Sequence, residues 1–391
     1  MEKEKKMEGE RRVEATRRWV IGVGFWVQGF RLFPWLGINF FLKDGMGVAA
    51  SSLQILQASA NLPMVTKPLL GLLSDAIPIR GHRRLPYVAI GALLQAISWL
   101  AIALWPAISL PVLTIFLLLS NFGASICEVA NDAIRLGSKR PRPQGQFCTT
   151  VAIPESSLQL PKADTNLSAV SSIRKQIKEL SCALCMPEIF WSVIWFSLSY
   201  AVIPFLLGTM FFYQTEVLRL DSSVIGLSKV FGQVTLLAWS VAYNKYIKTT
   251  PARKVLSVLQ FLTALIMLSD VLFVQGIYRN FGIPDSMYTI VFSGLLEGLM
   301  LFKVLPFSVL VAKLCPSGCE GSVMAFVMSA LALATIISGY LGVALAEFMG
   351  VSGDDFSALP TCLLIEAACT MLPLCFSSLI KERREKEKKE E

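Results

Sequence analysis

Hydrophobic positions in this chain run in long blocks, and the polar positions gather between them. Ten blocks come close to the roughly 20 residues that a helix needs to cross a hydrocarbon core. They are 19–42, 50–73, 86–105, 109–133, 189–213, 222–247, 255–276, 287–312, 322–345 and 356–380. Only a helix or a closed barrel satisfies its own backbone in lipid, and runs of this length suit helices. The pattern predicts an all-α polytopic membrane protein with about ten transmembrane helices. One long polar stretch, 134–187, holds no run able to cross and contains Pro, Ser and many basic residues. It reads as a disordered or loosely helical linker between a first bundle of four spans, 19–133, and a second of six, 188–380. Residues 1–18 and 381–391 are charged tails.

Composition agrees with this division. With 54% hydrophobic and 16% charged residues, the chain has too little polar surface to cover a soluble core of its size. Basic residues then set the orientation. With the N-terminus in the cytosol, most of the 36 Lys and Arg fall on the cytosolic side, whereas the opposite face holds Lys43, Arg219 and Arg279. Both tails and the linker come out cytosolic, so the sequon at Asn166 is expected to carry no sugar. The net charge of +8 does not point to nucleic acid, because the basic residues sit in connectors and not along one face with interleaved aromatics. The N-terminus lacks the pattern of a signal peptide, and its acidic residues argue against a transit peptide. Nine cysteines lie mostly in apolar runs, and the one histidine, His82, gives "CALC" and "CPSGC" no partner, so no metal and no cofactor are expected.

The connector "KPLLGLLSDAIPIRGHRRLP", residues 67–86, follows the second span. Gly71 allows close helix approach, Asp75 can cap or pair, and Arg80, Arg83 and Arg84 stay out of lipid. Any cytosolic connector needs basic residues, but not a glycine and an aspartate four apart at a helix end. After the second span of the other half the chain reads "YNKYIKTTPARK", again basic and again cytosolic. Equivalent connectors suggest two parallel repeats.

The first connector resembles the loop between spans 2 and 3 of the major facilitator superfamily, which latches the cytosolic side of two rocking bundles. More specifically, "LPMVTKPLLGLLSDAIPIRGHRRLPYVAIGALL" (62–94), "ASICEVANDAI" (124–134), "GLSKVFGQVTLLAWSVAYNKYIK" (226–248) and "LVAKLCPSGCEGSVMAFVMSALA" (310–332) resemble the folate-biopterin transporter family. The resemblance implies a major-facilitator-like two-bundle architecture. It implies folate or a related pterin as transported solute, and a gating loop built from Lys67, Gly71, Asp75, Arg80, Arg83 and Arg84. A full superfamily member has six spans in each half. Here the first half stops after four, and the linker stands where two more are expected.

Charges within spans need a reason, since each costs at least about 2.5–3.5 kcal/mol on insertion scales. Arg31 and Gln28 share a helical face in span 1, near Trp35. Under the resemblance, the Arg31 guanidinium suits a folate carboxylate or pterin edge, with Trp35 stacking on the ring. Pairing with an acid on another span is the alternative. Glu297 and Lys303 in span 8 are six residues apart and point about 120° from one another, so each must find a partner elsewhere. Glu297 is a candidate for a coupling proton or for pairing with Arg31, and Lys303 for an anion contact. Glu128 and Asp132 share a face near the cytosolic end of span 4, where they could partner Lys67 or the latch arginines. Glu366 is a further acid within a span, while Lys229 and Asp270 are expected to pair or reach the far surface.

The sequence therefore favours a folate/pterin secondary transporter working by alternating access, multi-pass in a bilayer that is plastid or another cell membrane. The alternative is a shortened, non-transporting isoform or partner of a full-length carrier. An enzyme is disfavoured, because the connectors carry no cluster of His, Asp or Cys.

Overall fold

The computed structural model describes residues 32–77, 79, 84–105, 107–137, 169–247, 249–315, 320–352 and 355–380. Gln28, Arg31, Arg80, Arg83 and the sequon at Asn166 fall outside these residues, and Asp75 is described as backbone only. Among the described residues the regular elements are helices. Six are long and apolar enough to cross a membrane: Leu85–Leu104, Leu110–Asp132, Ser222–Ile247, Ala252–Val274, Asp285–Leu314 and Ser322–Phe348. They match six of the ten expected spans. The last expected span holds a shorter apolar helix, Leu359–Cys375. Two others are broken. Expected span 50–73 is divided at Leu62–Thr66, where Pro63 falls, and expected span 189–213 opens at 202–206, around Pro204.

In chain order the helices are α1 Leu32–Phe40, α2 Ala50–Ala60, α3 Lys67–Ala76, α4 Leu85–Leu104, α5 Leu110–Gly137 and α6 Ala169–Leu184. They continue as α7 Pro187–Ala201, α8 Leu207–Phe212, α9 Ser222–Ala242, α10 Ala252–Val274 and α11 Asp285–Tyr288. The last four are α12 Gly294–Phe302, α13 Val304–Leu314, α14 Glu320–Phe348 and α15 Leu359–Cys375. The described end of the polar linker is thus the helix α6. Contacts group the chain into two compact units, one of Met1–Pro34, Pro63–Cys182 and Ser317–Ser329, the other of Trp35–Leu62, Ala183–Pro316 and Ala330–Glu391.

The first unit is built on the α4–α5 hairpin. A Cβ on Gly91 would lie 2.5 Å from the Gly123 carbonyl oxygen, and one on Gly123 would lie 2.6 Å from the Gly91 carbonyl oxygen. The two backbones therefore touch, which is how helices gain contact in lipid without a hydrophobic driving force between them. Ser98 and Ser125 are buried, and each hydroxyl donates to the carbonyl one turn back, so neither leaves a polar group bare. The opposite stripe of α4, with Ile90, Leu93, Ile97, Leu100 and Leu104, is exposed and suited to lipid.

The second unit repeats this device where α9 meets α12. A Cβ on Gly294 would stand 2.6 Å from the Ser228 carbonyl oxygen, and one on Gly232 would stand 2.9 Å from the Gly294 carbonyl oxygen. α10 packs along α15, with Gln260 donating to the Thr370 carbonyl at 2.8 Å. An aromatic cluster closes one end: Phe273 stacks on Tyr288, and Tyr288 stacks on Phe292, each pair 4.4 Å between centroids. Beside it Arg279 grips Asp285 with two hydrogen bonds, of 3.0 and 2.7 Å, and Tyr278 donates to the same carboxylate. Burial, with that hydrogen bond adding to it, pushes the Tyr278 phenol up to about 12. Rings at the headgroup level and a charged pair just beyond are what a membrane boundary favours.

Candidate functional site

Three polar constellations interrupt the apolar interior, and each contains residues that the sequence singled out or passed over. The first surrounds the break between α7 and α8 in the second unit. Opening a helix frees backbone groups that lipid cannot satisfy, so neighbouring side chains must do it. The carbonyls of Ile203 and Phe205 receive bonds from Ser338 on α14 and from the Gln54 amide on α2. The same Gln54 amide reaches the Gly339 carbonyl at 2.8 Å, and its oxygen accepts the Gly208 N–H at 2.8 Å. One buried glutamine thus ties α2 to α8 and α14. Gly208 and Gly342 permit it, since a Cβ on Gly208 would lie 2.8 Å from the Ala50 carbonyl oxygen, and one on Gly342 would collide with the Phe205 carbonyl. Ser59 meets Tyr340 at 2.9 Å. At the far end of the same contact Lys43 bridges Glu216 at 2.7 Å and Asp44 at 3.0 Å. Under the orientation set by the basic residues, this clasp lies toward the non-cytosolic side. Sequence reasoning passed over Gln54, which stands in a segment that also holds Gln57, Ser59 and Asn61.

The second constellation lies on span 8. Glu297 on α12 accepts a 2.6 Å bond from Lys229 on α9, beside the Gly232–Gly294 contact. The expectation that Glu297 and Lys303 do not pair with each other agrees with this geometry, and Lys229 does pair, as expected. Lys303 sits where α12 gives way to α13, because Pro306 cannot donate to the carbonyl four residues back. Its side chain is fully buried. The ammonium donates to Gln260 at 2.8 Å, to the Ser199 hydroxyl at 3.0 Å and to the Ser199 carbonyl at 3.3 Å, and lies 3.8 Å from the Tyr200 ring centroid. Neutral oxygens and a ring face thus surround the Lys303 amine. Asp270 and Glu366 are both buried, and among the described residues neither has an ion-pair partner. Asp270 therefore does not reach the far surface as expected, since α10 packs that face against α15.

The third constellation belongs to the first unit. Lys67, the first residue of α3, bridges Glu128 on α5 at 2.6 Å, one of the two partners the sequence offered. Ser329 donates to the Val65 carbonyl just before α3, and the Tyr87 hydroxyl donates to the Ile77 carbonyl just after it, at 2.9 Å. α3 is therefore pinned at both ends. Gly71 does not serve close approach: a Cβ there would meet Val129 at 3.5 Å, an ordinary contact. Arg84, Asp132 and Trp35 are half-buried.

The model of the BT1 family matches residues 28–148 and 143–391. The chain belongs to the BT1 family. The match is made in two segments that meet within the polar linker. Among BT1-type relatives, the Arabidopsis thaliana protein named "Probable folate-biopterin transporter 7" is 48% identical over 95% of this chain and 95% of its own length. That alignment runs over 424 positions, more than the 391 residues available, so the relative carries residues where this chain has none. "Probable folate-biopterin transporter 8, chloroplastic", also from Arabidopsis thaliana, is 39% identical over 92% of this chain and 74% of that protein. The "Folate-biopterin transporter" of Synechocystis is 24% identical over 93% of this chain and 83% of that protein.

Proposed function

We propose that this BT1-family chain is a secondary transporter that carries folate or a related pterin across a membrane by alternating access between two helical bundles. Family membership and the names of its relatives supply the solute class. The observation that carries the mechanism is the Gln54 clasp. A carrier must make and break one closure without stranding backbone groups in lipid. The clasp satisfies the opened α7–α8 turn through side chains from α2 and α14, and such contacts can be exchanged as those helices part. It serves as the gate on the non-cytosolic side. The connector from Lys67 to Arg84, held by Glu128 and flanked by Asp132, serves as the gate on the cytosolic side.

In this reading Arg31, Gln28 and Trp35 meet the solute's carboxylate and ring. Glu297 is the group through which a proton would couple, because protonating it releases Lys229. Lys303 acts by position, holding α7 and α10 together from the break between α12 and α13. The relatives that match along nearly the whole chain are named as transporters, which favours a carrier over a shortened partner.

The test is uptake of radiolabelled folate and biopterin into vesicles that contain only this protein. Uptake that saturates and falls at least tenfold in Arg31→Ala is expected. Vesicles no better than protein-free controls, with correctly folded protein, would refute the proposal.

A further inference from the structure

Seven cysteines lie among the described residues. Cys127, Cys362 and Cys369 are buried or half-buried within apolar helices, and Cys315 is half-buried after α13. The exposed ones are Cys182, Cys185 and Cys375. Cys185 stands two residues before the start of α7, and Cys375 is the last residue of α15. These two helices pack together, and the Trp195 indole on α7 donates to the Pro373 carbonyl on α15 at 2.8 Å. α7 also meets the turn Ser377–Leu379 that follows Cys375. Both thiols therefore mark the same end of one helix pair.

That end carries the signs of a membrane boundary. Phe190 and Trp191 on the first turn of α7 and Phe376 after α15 are exposed rings, the type of side chain that settles at headgroup depth. Along the chain, Arg174 and Lys178 precede Cys185 and are exposed on α6, which also exposes Ile177, and the tail "KERREKEKKEE" after residue 380 holds six basic and five acidic residues. Basic segments of this kind face the anionic cytosolic leaflet. In a reducing cytosol such cysteines remain thiols.

We propose that Cys185 and Cys375 are sites of S-acylation by long-chain fatty acyl groups. A thiol at headgroup depth places an attached chain directly into the hydrocarbon, and juxtamembrane cysteines are the positions where this modification is reversible. The donor is a long-chain acyl thioester. The cysteine sulfur attacks its carbonyl carbon and a new S–C bond forms. The donor's C–S bond breaks, and the cysteine proton passes to the departing thiolate, so nothing is oxidised or reduced. The inference rests on the orientation set by the basic residues and is independent of what the carrier moves.

The full chain, expressed in a eukaryotic host, is blocked at free thiols and cleaved with hydroxylamine, and the released thiols are tagged with a polyethylene-glycol maleimide. Two hydroxylamine-dependent mass steps are expected. Cys185→Ser and Cys375→Ser should each remove one step, while Cys362→Ser removes none. Serine at an exposed position leaves packing intact, and recovery of each variant in the membrane fraction checks this. Absence of any hydroxylamine-dependent step in the wild-type chain, or a pattern unchanged in the Cys185→Ser/Cys375→Ser double variant, would overturn the proposal.

Discussion

Each unit contains a lysine on the second span of one half of the chain, bridged to a glutamate on the fourth span of that half. In the first unit the pair is Lys67–Glu128, in the second Lys229–Glu297, and both bridges measure 2.6 Å. They differ in their access to surroundings. The Lys67 side chain is 6% exposed, whereas that of Lys229 is 34% exposed. Equal geometry therefore does not mean equal energy. A buried charge that loses its partner keeps its full desolvation cost, while a half-exposed one can turn to water or headgroups. The first pair behaves as part of the scaffold that fixes the latch connector. The second, whose lysine is partly open to its surroundings, can part at a lower cost.

This contrast is open to a graded test. Glu128→Leu should do the most harm, because it removes the carboxylate that the buried Lys67 ammonium faces, at a cost of about 3–5 kcal/mol. It is expected to lower the thermal midpoint of detergent-purified protein sharply, and Lys67→Met/Glu128→Leu should regain much of the loss. A double variant no more stable than the single one would remove the physical basis for the difference. Gln54→Ala comes next, since it strands the Phe205 carbonyl and the Gly208 N–H at roughly 1–3 kcal/mol per buried group. Solute uptake should fall with stability there, because the proposed gate is also part of the fold.

Glu297→Leu, which leaves the half-exposed Lys229 behind, should cost only about 1 kcal/mol in stability, yet reduce uptake at least tenfold. A large stability loss with normal uptake would reverse the assignment of roles. Smallest of all, Gly71→Ala should shift stability by no more than about 0.5 kcal/mol, because a Cβ fits at that site. Gly123→Ala, placed against the Gly91 backbone, is the severe counterpart that shows the assay can register a glycine.

The apolar blocks were readable because a bilayer imposes one strong rule, that roughly 20 residues of helix must be apolar to cross. Six spans emerged at nearly the expected boundaries for that reason. The breaks at 61–66 and 202–206 were less visible. Pro63 and Pro204 mark them, but a proline inside a span can kink, end or merely bend a helix, depending on which neighbour satisfies the freed carbonyls. The site residues divide the same way. Spacing on one helix showed that Glu297 and Lys303 could not face each other, and composition offered Lys67 as a partner for Glu128. Nothing along the chain linked Gln54 to Phe205, 151 residues away, or Lys303 to Ser199, 104 residues away.

What the sequence determined by itself was the solvent: which segments belong in lipid and which charges needed an explanation. Those follow from local composition, because transfer into a membrane is decided segment by segment. Tertiary structure alone decided the partners. A buried polar group is satisfied by whatever donor or acceptor packing brings within about 3 Å, and that depends on where glycines let two helices touch.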